Sequence, residues 1–271
     1  MEIVRYREDV WGREVLLGVS WDLLWLVIAA TFIVIMVHAA IMLARKSGPR
    51  PSADGERLSR HAAQDRWFHW ITAAAFFVLL ATGVLPIVGV KFPWLTAHWV
   101  AGIVLTAAIV FHIVRSLFWK DLAAIWIKPS DLAELAGGAA APLPGKYSLA
   151  QKGMHLAMAV LVLVAVGTGI AMLVQIDTPW WARSNFLSEA ALGWMFLLHG
   201  LSTLALIGFA ALHLYFTARP EKQFYLRAMV KGWVSRSELA AHHDPARWTP
   251  DTAASGDAAA QAAPGLGADA R

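Results

Sequence analysis

A chain of 271 residues in which 58% are hydrophobic and only 15% are charged is too apolar for an average soluble domain. It contains no cysteine, which excludes thiolate-ligated iron–sulfur clusters, c-type heme attachment and disulfides. The formal net charge of +4 is small for this length, so nucleic-acid binding has no support. Any redox metal in this chain must rest on histidine or methionine.

Five apolar stretches are long enough to cross a bilayer as helices, for which about 20 residues are needed. We predict spans at residues 21–43, 67–90, 95–119, 153–176 and 190–217. The first is predicted to be a retained span, because its apolar run is too long for a signal peptide and acidic residues are mixed with basic ones before it. The sequence therefore predicts an all-α integral membrane protein with five transmembrane helices.

Lysine and arginine residues near the span ends predict the orientation by the positive-inside rule. They are abundant between spans one and two, between spans three and four, and after span five, whereas the other two connections carry only Lys91 and Arg183. We therefore expect a multi-pass protein with a periplasmic N-terminus and a cytoplasmic C-terminus. The Ala- and Gly-rich residues 250–271 predict a disordered cytoplasmic tail.

Six of the ten histidines fall in or at the ends of spans two to five. Ionisable side chains are costly inside a bilayer, so each of them is a candidate functional residue. By depth they form two layers. The outer layer contains His98 and His199, and the inner layer contains His69, His112, His155 and His213.

The fourteen residues between His199 and His213 are close to four helical turns, so both imidazoles project from one helix face about 21 Å apart. One helix can thereby serve two stacked hemes, each held by two imidazoles in a helical bundle. His98 is the expected partner of His199. For His213 the spacing leaves two partners open, His69 and His112.

Three further residues have two interpretations each. Arg115, at the inner end of span three, either binds a heme propionate or is an ordinary basic residue of the inner side. His38 and His155 are either functional or hydrogen-bonded contacts between helices.

An ordered set of short motifs follows spans two to five. The motifs are Asp65-Arg66-Trp67-Phe68-His69-Trp70, His98 with Gly102 and Arg115, Gly145-Lys146-Tyr147 with Gln151-Lys152, Leu198-His199-Gly200, and Leu212-His213-Leu214-Tyr215. Together they resemble the cytochrome b (gamma) subunit of respiratory membrane-bound formate dehydrogenase. The similarity continues to His242-His243 and covers about residues 64–248.

The resemblance implies that residues 65–249 form a diheme cytochrome b bundle of four helices. It implies that His98 and His199 hold the outer heme b and that His69 and His213 hold the inner one, which disfavours His112 as a ligand. Residues 1–64, with the extra span and a cytoplasmic loop, lie outside the similar region.

The resemblance also implies a site for menaquinone or ubiquinone beside the inner heme. The residues that it nominates for this site are Lys146, Tyr147, Ser148, Gln151 and His155.

The implied function is that of a membrane-anchoring electron carrier in the bacterial inner membrane. It takes electrons from an iron–sulfur (beta) subunit, which a molybdenum- or tungsten-containing catalytic (alpha) subunit supplies, and delivers them to quinone. Such a chain contains the quinone-reduction site but not the formate-oxidising site. The cytochrome b subunits of hydrogenases and of thiosulfate reductase share this plan and remain alternatives, as does a heme-free membrane anchor; a higher oligomer is also left open.

Overall fold

Five long apolar helices make up most of the chain in the computed structural model, which describes residues 3–44, 51–119, 122–136 and 141–250. They are α1 (Asp22–Ala44), α2 (Ala63–Val84), α3 (Trp94–Trp119), α5 (Leu149–Leu173) and α6 (Glu189–Ala218). Each is long and apolar enough to cross a bilayer. The prediction of five spans is therefore confirmed, and the chain is a multi-pass membrane protein.

The helix ends differ from the predicted spans where local signals end the helix. The second span was predicted to run to residue 90, but α2 ends at Val84 and the chain turns through Pro86 and Gly89. Proline cannot continue a helical hydrogen-bond ladder, and Gly89 has a φ of 92°, which favours glycine. At the start of α5, Ser148 and Gln151 form a capping box that fixes the first turn at Leu149.

The four helices after α1 form two antiparallel hairpins, α2–α3 and α5–α6. Within each hairpin the two helices pack along their length, α3 also packs on α5, and α1 packs on the outside of α6. We call the end of the bundle that carries His98 and His199 the outer end, and the end that carries His69 and His213 the inner end.

A β-hairpin that the sequence did not predict precedes α1. Strands β1 (Val4–Glu8) and β2 (Glu14–Val19) pair antiparallel, and β2 lies along the outer half of α6. Its end joins α1 and α6 in a small apolar core of Val19, Leu24, Leu197 and Leu204.

A second small layer covers the inner end of the bundle, and we call it the inner cap. It contains the two-stranded sheet of β3 (Arg57–Ser59) and β4 (Trp233–Ser235) with helices α7 (Gln223–Lys231) and α8 (Arg236–His242). Its apolar core consists of Leu58, Phe224, Ala228, Val234 and Leu239. The short helix α4 (Ala133–Ala136) lies in the connection between α3 and α5. The predicted tail lies outside the described residues from residue 251 onward.

Candidate functional site

The two outer histidines face each other between α3 and α6. The ring centres of His98 and His199 lie 6.4 Å apart. Nδ1 of His199 donates to the backbone carbonyl of Ala165 at 3.0 Å and lies 3.1 Å from Oγ1 of Thr168. Because a carbonyl oxygen can only accept, the proton is assigned to Nδ1, and the lone pair of Nε2 is available to a metal.

His98 is oriented in the same way by a threonine of the neighbouring helix. The hydroxyl of Thr82 donates to the carbonyl of Val78 at 2.6 Å, and its oxygen lies 2.8 Å from Nδ1 of His98. Since the hydroxyl proton is used within α2, the threonine oxygen accepts from Nδ1–H. In both outer imidazoles Nε2 is therefore the nitrogen that is available to a metal.

The spacing of the outer pair fits two imidazoles that would hold one metal between them. An imidazole nitrogen lies about 2 Å from a metal that it ligates and about 1.2 Å from its own ring centre, which places two opposed ring centres about 6.4 Å apart. Two imidazoles with no further protein ligand suit an iron whose other four ligands come from a tetrapyrrole. Among the residues that the structure describes, no group of three or more His, Cys, Asp or Glu is arranged to hold a metal ion.

The inner pair repeats this spacing between α2 and α6. The ring centres of His69 and His213 also lie 6.4 Å apart. His112, the other partner left open by the fourteen-residue spacing, has its ring stacked on Phe68 at 4.3 Å and faces His155 at 6.2 Å. The structure therefore places His69 opposite His213, and His112 in a different pair.

The two hairpins of the bundle are an internal repeat. Thr82 lies thirteen residues after His69, and Thr168 lies thirteen residues after His155. Each threonine contacts the outer histidine of its own hairpin, and the glycine that follows it lies against the same imidazole. The second helix of each hairpin then carries an inner histidine fourteen residues after the outer one.

This repeat relates the histidines of one hairpin to those of the other. The two outer histidines are equivalent, His69 corresponds to His155, and His112 corresponds to His213. The pair of His69 with His213 therefore has a counterpart in the pair of His112 with His155. Both the thirteen-residue and the fourteen-residue intervals are present in the sequence, but only the structure shows that they relate the two hairpins.

Arg115 was predicted either to bind a heme propionate or to be an ordinary basic residue of the inner side. In the structure it contacts α2 at the inner end of the bundle. It forms a salt bridge with Asp65 and donates to the side-chain oxygen of Gln64 at 3.1 Å. This ion pair ties the start of α2 to the end of α3, and it balances the guanidinium charge within the protein.

The residues predicted to bind quinone are divided between the loop before α5 and α5 itself. Lys146 lies 5.6 Å above the ring of Tyr147, and Ser148 and Gln151 form the capping box of α5. Burial raises the pKa of Tyr147, so this phenol stays protonated at neutral pH. His155 lies deeper, one helical turn beyond Gln151 on the same face of α5.

A buried polar cluster in the inner cap was missed by the sequence analysis. Arg60 donates to Nε2 of His243 at 3.0 Å and to the carbonyl of Lys146 at 2.9 Å, and Nδ1 of His243 donates to the carbonyl of Gly145 at 2.6 Å. Burial, helped by the charge of Arg60, lowers the pKa of His243 to about 4. The cluster joins β3, the loop before α5 and the chain after α8.

A buried ion pair holds the start of α5. Nζ of Lys152 lies 2.7 Å from Asp131, which also accepts from Arg247 at 2.8 Å, and the side chain of Asp131 is fully buried. Burial alone would raise the pKa of Asp131, but the hydrogen bonds from Lys152 and from the backbone N–H of Lys128 lower it. The carboxylate is therefore ionised at neutral pH.

His38 on α1 makes a contact between helices. Its Nδ1 lies 2.9 Å from the hydroxyl of Tyr215, and Arg219 donates to its Nε2 at 3.1 Å. Both partners belong to the inner end of α6 or follow it directly, so His38 fixes α1 to α6.

The part of the chain that resembles known proteins is the part that contains the two hairpins. A search of curated proteins by sequence found no match. Residues 60–232 match the family described as prokaryotic cytochrome b561, and this region contains both histidine layers and the four helices of the two hairpins. Members of this family are helical-bundle membrane cytochromes that bind heme b and take part in electron transfer. The chain belongs to the prokaryotic cytochrome b561 family.

Proposed function

We propose that this cytochrome b carries electrons through two hemes from a partner iron–sulfur subunit to quinone. The observation that carries the proposal is the pair of histidine layers, each with two imidazoles whose ring centres lie 6.4 Å apart. A heme-free anchor would need neither the layers nor the matched spacing.

The proposed ligands of the outer heme are His98 and His199, and those of the inner heme are His69 and His213. Heme b supplies one-electron redox chemistry when it is bound, and two imidazole ligands favour electron transfer over reaction with oxygen. The protein supplies the rest. In the outer layer, Thr82 and the carbonyl of Ala165 hold the Nδ1 protons, so that each Nε2 would be the atom that holds the metal.

The apolar helices support the proposed separation of the two layers. His199 and His213 are fourteen residues apart on α6, so the layers are about 21 Å apart along the helix axis. Between them α6 carries small and aliphatic residues such as Ala205 and Ala210. Such a path excludes water from the space between the two redox centres.

The direction of transfer follows from the predicted orientation. With the outer layer near the periplasm, electrons enter at the His98 and His199 pair and leave at the inner pair. Two electrons and two protons convert a quinone to a quinol, and protons taken from the cytoplasmic side make this step electrogenic. Menaquinone and ubiquinone both fit this chemistry.

The partner is proposed to be of the formate dehydrogenase type, with an iron–sulfur subunit and a molybdenum- or tungsten-containing catalytic subunit. The support is the ordered set of sequence motifs from Asp65 to His243. A hydrogenase or thiosulfate reductase complex would use the same two histidine layers, so the donor has to be identified by experiment.

The test uses the tagged chain purified from its native membranes with any subunits that remain bound. Under anaerobic conditions we expect formate to reduce both hemes and a soluble menaquinone analogue to oxidise them again. Reduction by hydrogen but not by formate would assign the chain to a hydrogenase. Absence of heme absorption from the purified complex would establish a heme-free anchor instead.

A further inference from the structure

The inner end of the bundle contains a second pair of opposed imidazoles that the proposed heme ligands do not include. The rings of His112 on α3 and His155 on α5 are 6.2 Å apart, close to the 6.4 Å of the His69 and His213 pair. The internal repeat makes these two pairs equivalent. The pair of His69 and His213 is proposed to hold the inner heme. The pair of His112 and His155 is an equivalent site that the two proposed hemes do not use.

The space around the second pair is narrower than that around the first. Helix α3 packs on α5, whereas α2 and α6 share no comparable interface. One face of the His112 ring is also covered by Phe68, which stacks on it at an interplanar angle of 9°. The pair therefore suits a small group that both rings contact better than a second macrocycle beside the first.

Ring centres 6.2 Å apart allow one oxygen, lying to the side of the line between them, to reach both imidazoles. An oxygen that accepts a hydrogen bond of about 2.9 Å from a ring nitrogen lies about 4 Å from the centre of that ring. Two such rings with centres 6.2 Å apart subtend about 100° at the oxygen, an angle that the two lone pairs of a carbonyl oxygen accept. A metal ion directly between the rings would also fit this spacing, but the described residues place no third acidic or histidine ligand beside the pair.

The surroundings of His155 indicate where such an oxygen comes from. His155 lies in a membrane-spanning helix but is exposed at the surface of the bundle. Ionisable side chains at this depth usually face the bundle interior or a partner group, because hydrocarbon does not solvate them. A ligand that dissolves in the bilayer and carries a hydrogen-bond-accepting oxygen would satisfy this exposed imidazole.

We propose that His112 and His155 bind one carbonyl oxygen of the membrane quinone between them, in the position that the repeat makes equivalent to that of the inner heme. This inference rests on the proposed function and adds His112 and a binding geometry to it. The quinone enters from the lipid side at His155, and its head group then lies beside the inner heme site. Phe68, next to His69 in the chain, fixes the orientation of the His112 ring.

The test measures quinone reduction separately from heme binding. The heme-loaded chain, in lipid nanodiscs and reduced with a stoichiometric amount of dithionite, is mixed with ubiquinone-1 or menadione, and heme oxidation is followed by stopped-flow absorbance. His112→Leu and His155→Leu should each retain two hemes per chain and slow the oxidation at least tenfold. His112→Gln and His155→Gln keep a hydrogen-bond donor and should recover much of the rate.

The control is His38→Leu, a substitution of the same residue type at similar depth on α1, which should leave the oxidation rate unchanged. The double variant His112→Leu/His155→Leu should be no slower than the slower single variant, because one oxygen is bound by both rings.

Three results would overturn the inference: native oxidation rates in both leucine variants, loss of one heme in either, or equal rates in the leucine and glutamine variants. If neither quinone oxidises the hemes of the wild-type chain, the proposed quinone reduction is itself contradicted. The three results above contradict only the site at His112 and His155.

Discussion

Threonine and carbonyl oxygens of the preceding helix determine which nitrogen each outer histidine can offer to a metal. Thr82 and Thr168 are each bonded to a carbonyl of their own helix, and each lies within hydrogen-bond distance of Nδ1 of a histidine on the next helix. Partners of this kind fix the tautomer and the ring orientation of metal-ligating histidines. The position of the Nδ1 proton is therefore a property of the fold and not only of the cofactor.

Replacing Thr82 by valine removes the acceptor for Nδ1 of His98 and keeps the shape of the side chain. Loss of such a partner typically costs 10- to 100-fold in metal affinity. We expect Thr82→Val to weaken binding of the outer heme and to shift its midpoint potential in a redox titration. Thr106→Val is the matched control, because the hydroxyl of Thr106 donates to the carbonyl of Gly102 in its own helix and contacts no histidine among the described residues. Equal midpoint potentials in the two variants would contradict the role of Thr82 as the hydrogen-bond acceptor for His98.

The proposed assignment of the inner heme is tested at His69. His69→Met should change the ligation of that heme from two imidazoles to one imidazole and one thioether, which raises its potential. His112→Phe should leave both low-spin signals of the wild-type protein intact in electron paramagnetic resonance. Persistence of both native signals in the His69 variant would contradict the assignment.

At this scale the sequence was informative about which residues matter and less so about their partners. The layers of His98, His199, His69 and His213 could be predicted from helical periodicity and from the cost of burying ionisable groups in lipid. The spacing of residues in the sequence could not show whether His69 or His112 faces His213, because the answer depends on which helices lie side by side. Arg60 was missed because its importance comes from burial by segments that are far apart in the chain.

Among the helices, α6 has the most partners: it carries one histidine of each layer and packs against α5, α1 and the outer β-hairpin. The hairpin lies close to α6 because α6 has glycine where β2 passes. A Cβ atom at Gly193 would overlap the backbone oxygen of Leu16, and one at Gly200 would overlap the side chain of Val19. These two glycines allow a strand to lie directly on a helix.

Gly193→Ala should therefore displace the hairpin, since backbone atoms of β2 cannot move away as a flexible side chain could. Overpacking of this kind costs about 1–3 kcal/mol. We expect faster hydrogen exchange at the amides of β2 and a lower thermal unfolding temperature. Gly167→Ala is the control, because a Cβ there meets no atom within 4 Å. Equal exchange of β2 in the two variants would show that the close approach is not required.

The inner cap should lose stability as the pH falls. The pKa of His243 is lowered to about 4, so the folded cap favours the neutral imidazole, while the unfolded chain takes up a proton near pH 6.5. Between these values the unfolded state binds more protons, and stability decreases by up to about 3 kcal/mol as the pH drops from 6.5 to 4. Above pH 6.5 the contribution is fully present.

His243→Asn should reduce this pH dependence, because its amide can still donate to the carbonyl of Gly145 and accept from Arg60 without titrating. The measurement is thermal unfolding at pH 4.5 and 7, followed by the fluorine NMR signal of Trp248 in protein labelled with 5-fluorotryptophan, because Trp248 packs on His243 and the other thirteen tryptophans lie elsewhere. The same difference between the two pH values in variant and wild type would contradict the role of His243.

The five membrane helices could be predicted from the sequence because apolar length alone decides whether a segment can span a bilayer. The outer hairpin could not, since β1 is only five residues long and four of them are exposed, so it has no buried face by which to recognise a strand. The inner cap could not be predicted for a related reason. Its sheet joins Leu58 to Val234, a pairing between distant parts of the chain that local patterns do not encode.

Over the whole molecule, the repeat of two hairpins explains how one bundle provides several sites for imidazole ligands. Each hairpin contributes one histidine to the outer pair. Each hairpin also contributes one histidine to each of the two inner pairs. If one inner pair holds heme and the other holds quinone, the donor and acceptor of the last electron step lie side by side at equivalent positions. The polypeptide then needs no separate quinone domain.

The number and ligation of the hemes in the purified chain test the two histidine layers most directly. We predict two hemes b per chain by the pyridine hemochrome assay, with two low-spin bis-imidazole signals in electron paramagnetic resonance. His98→Ala and His199→Ala should each remove one of these signals and leave the other. One heme or none per chain, or two hemes that both survive the loss of His98 and His199, would contradict the assignment of the two histidine layers.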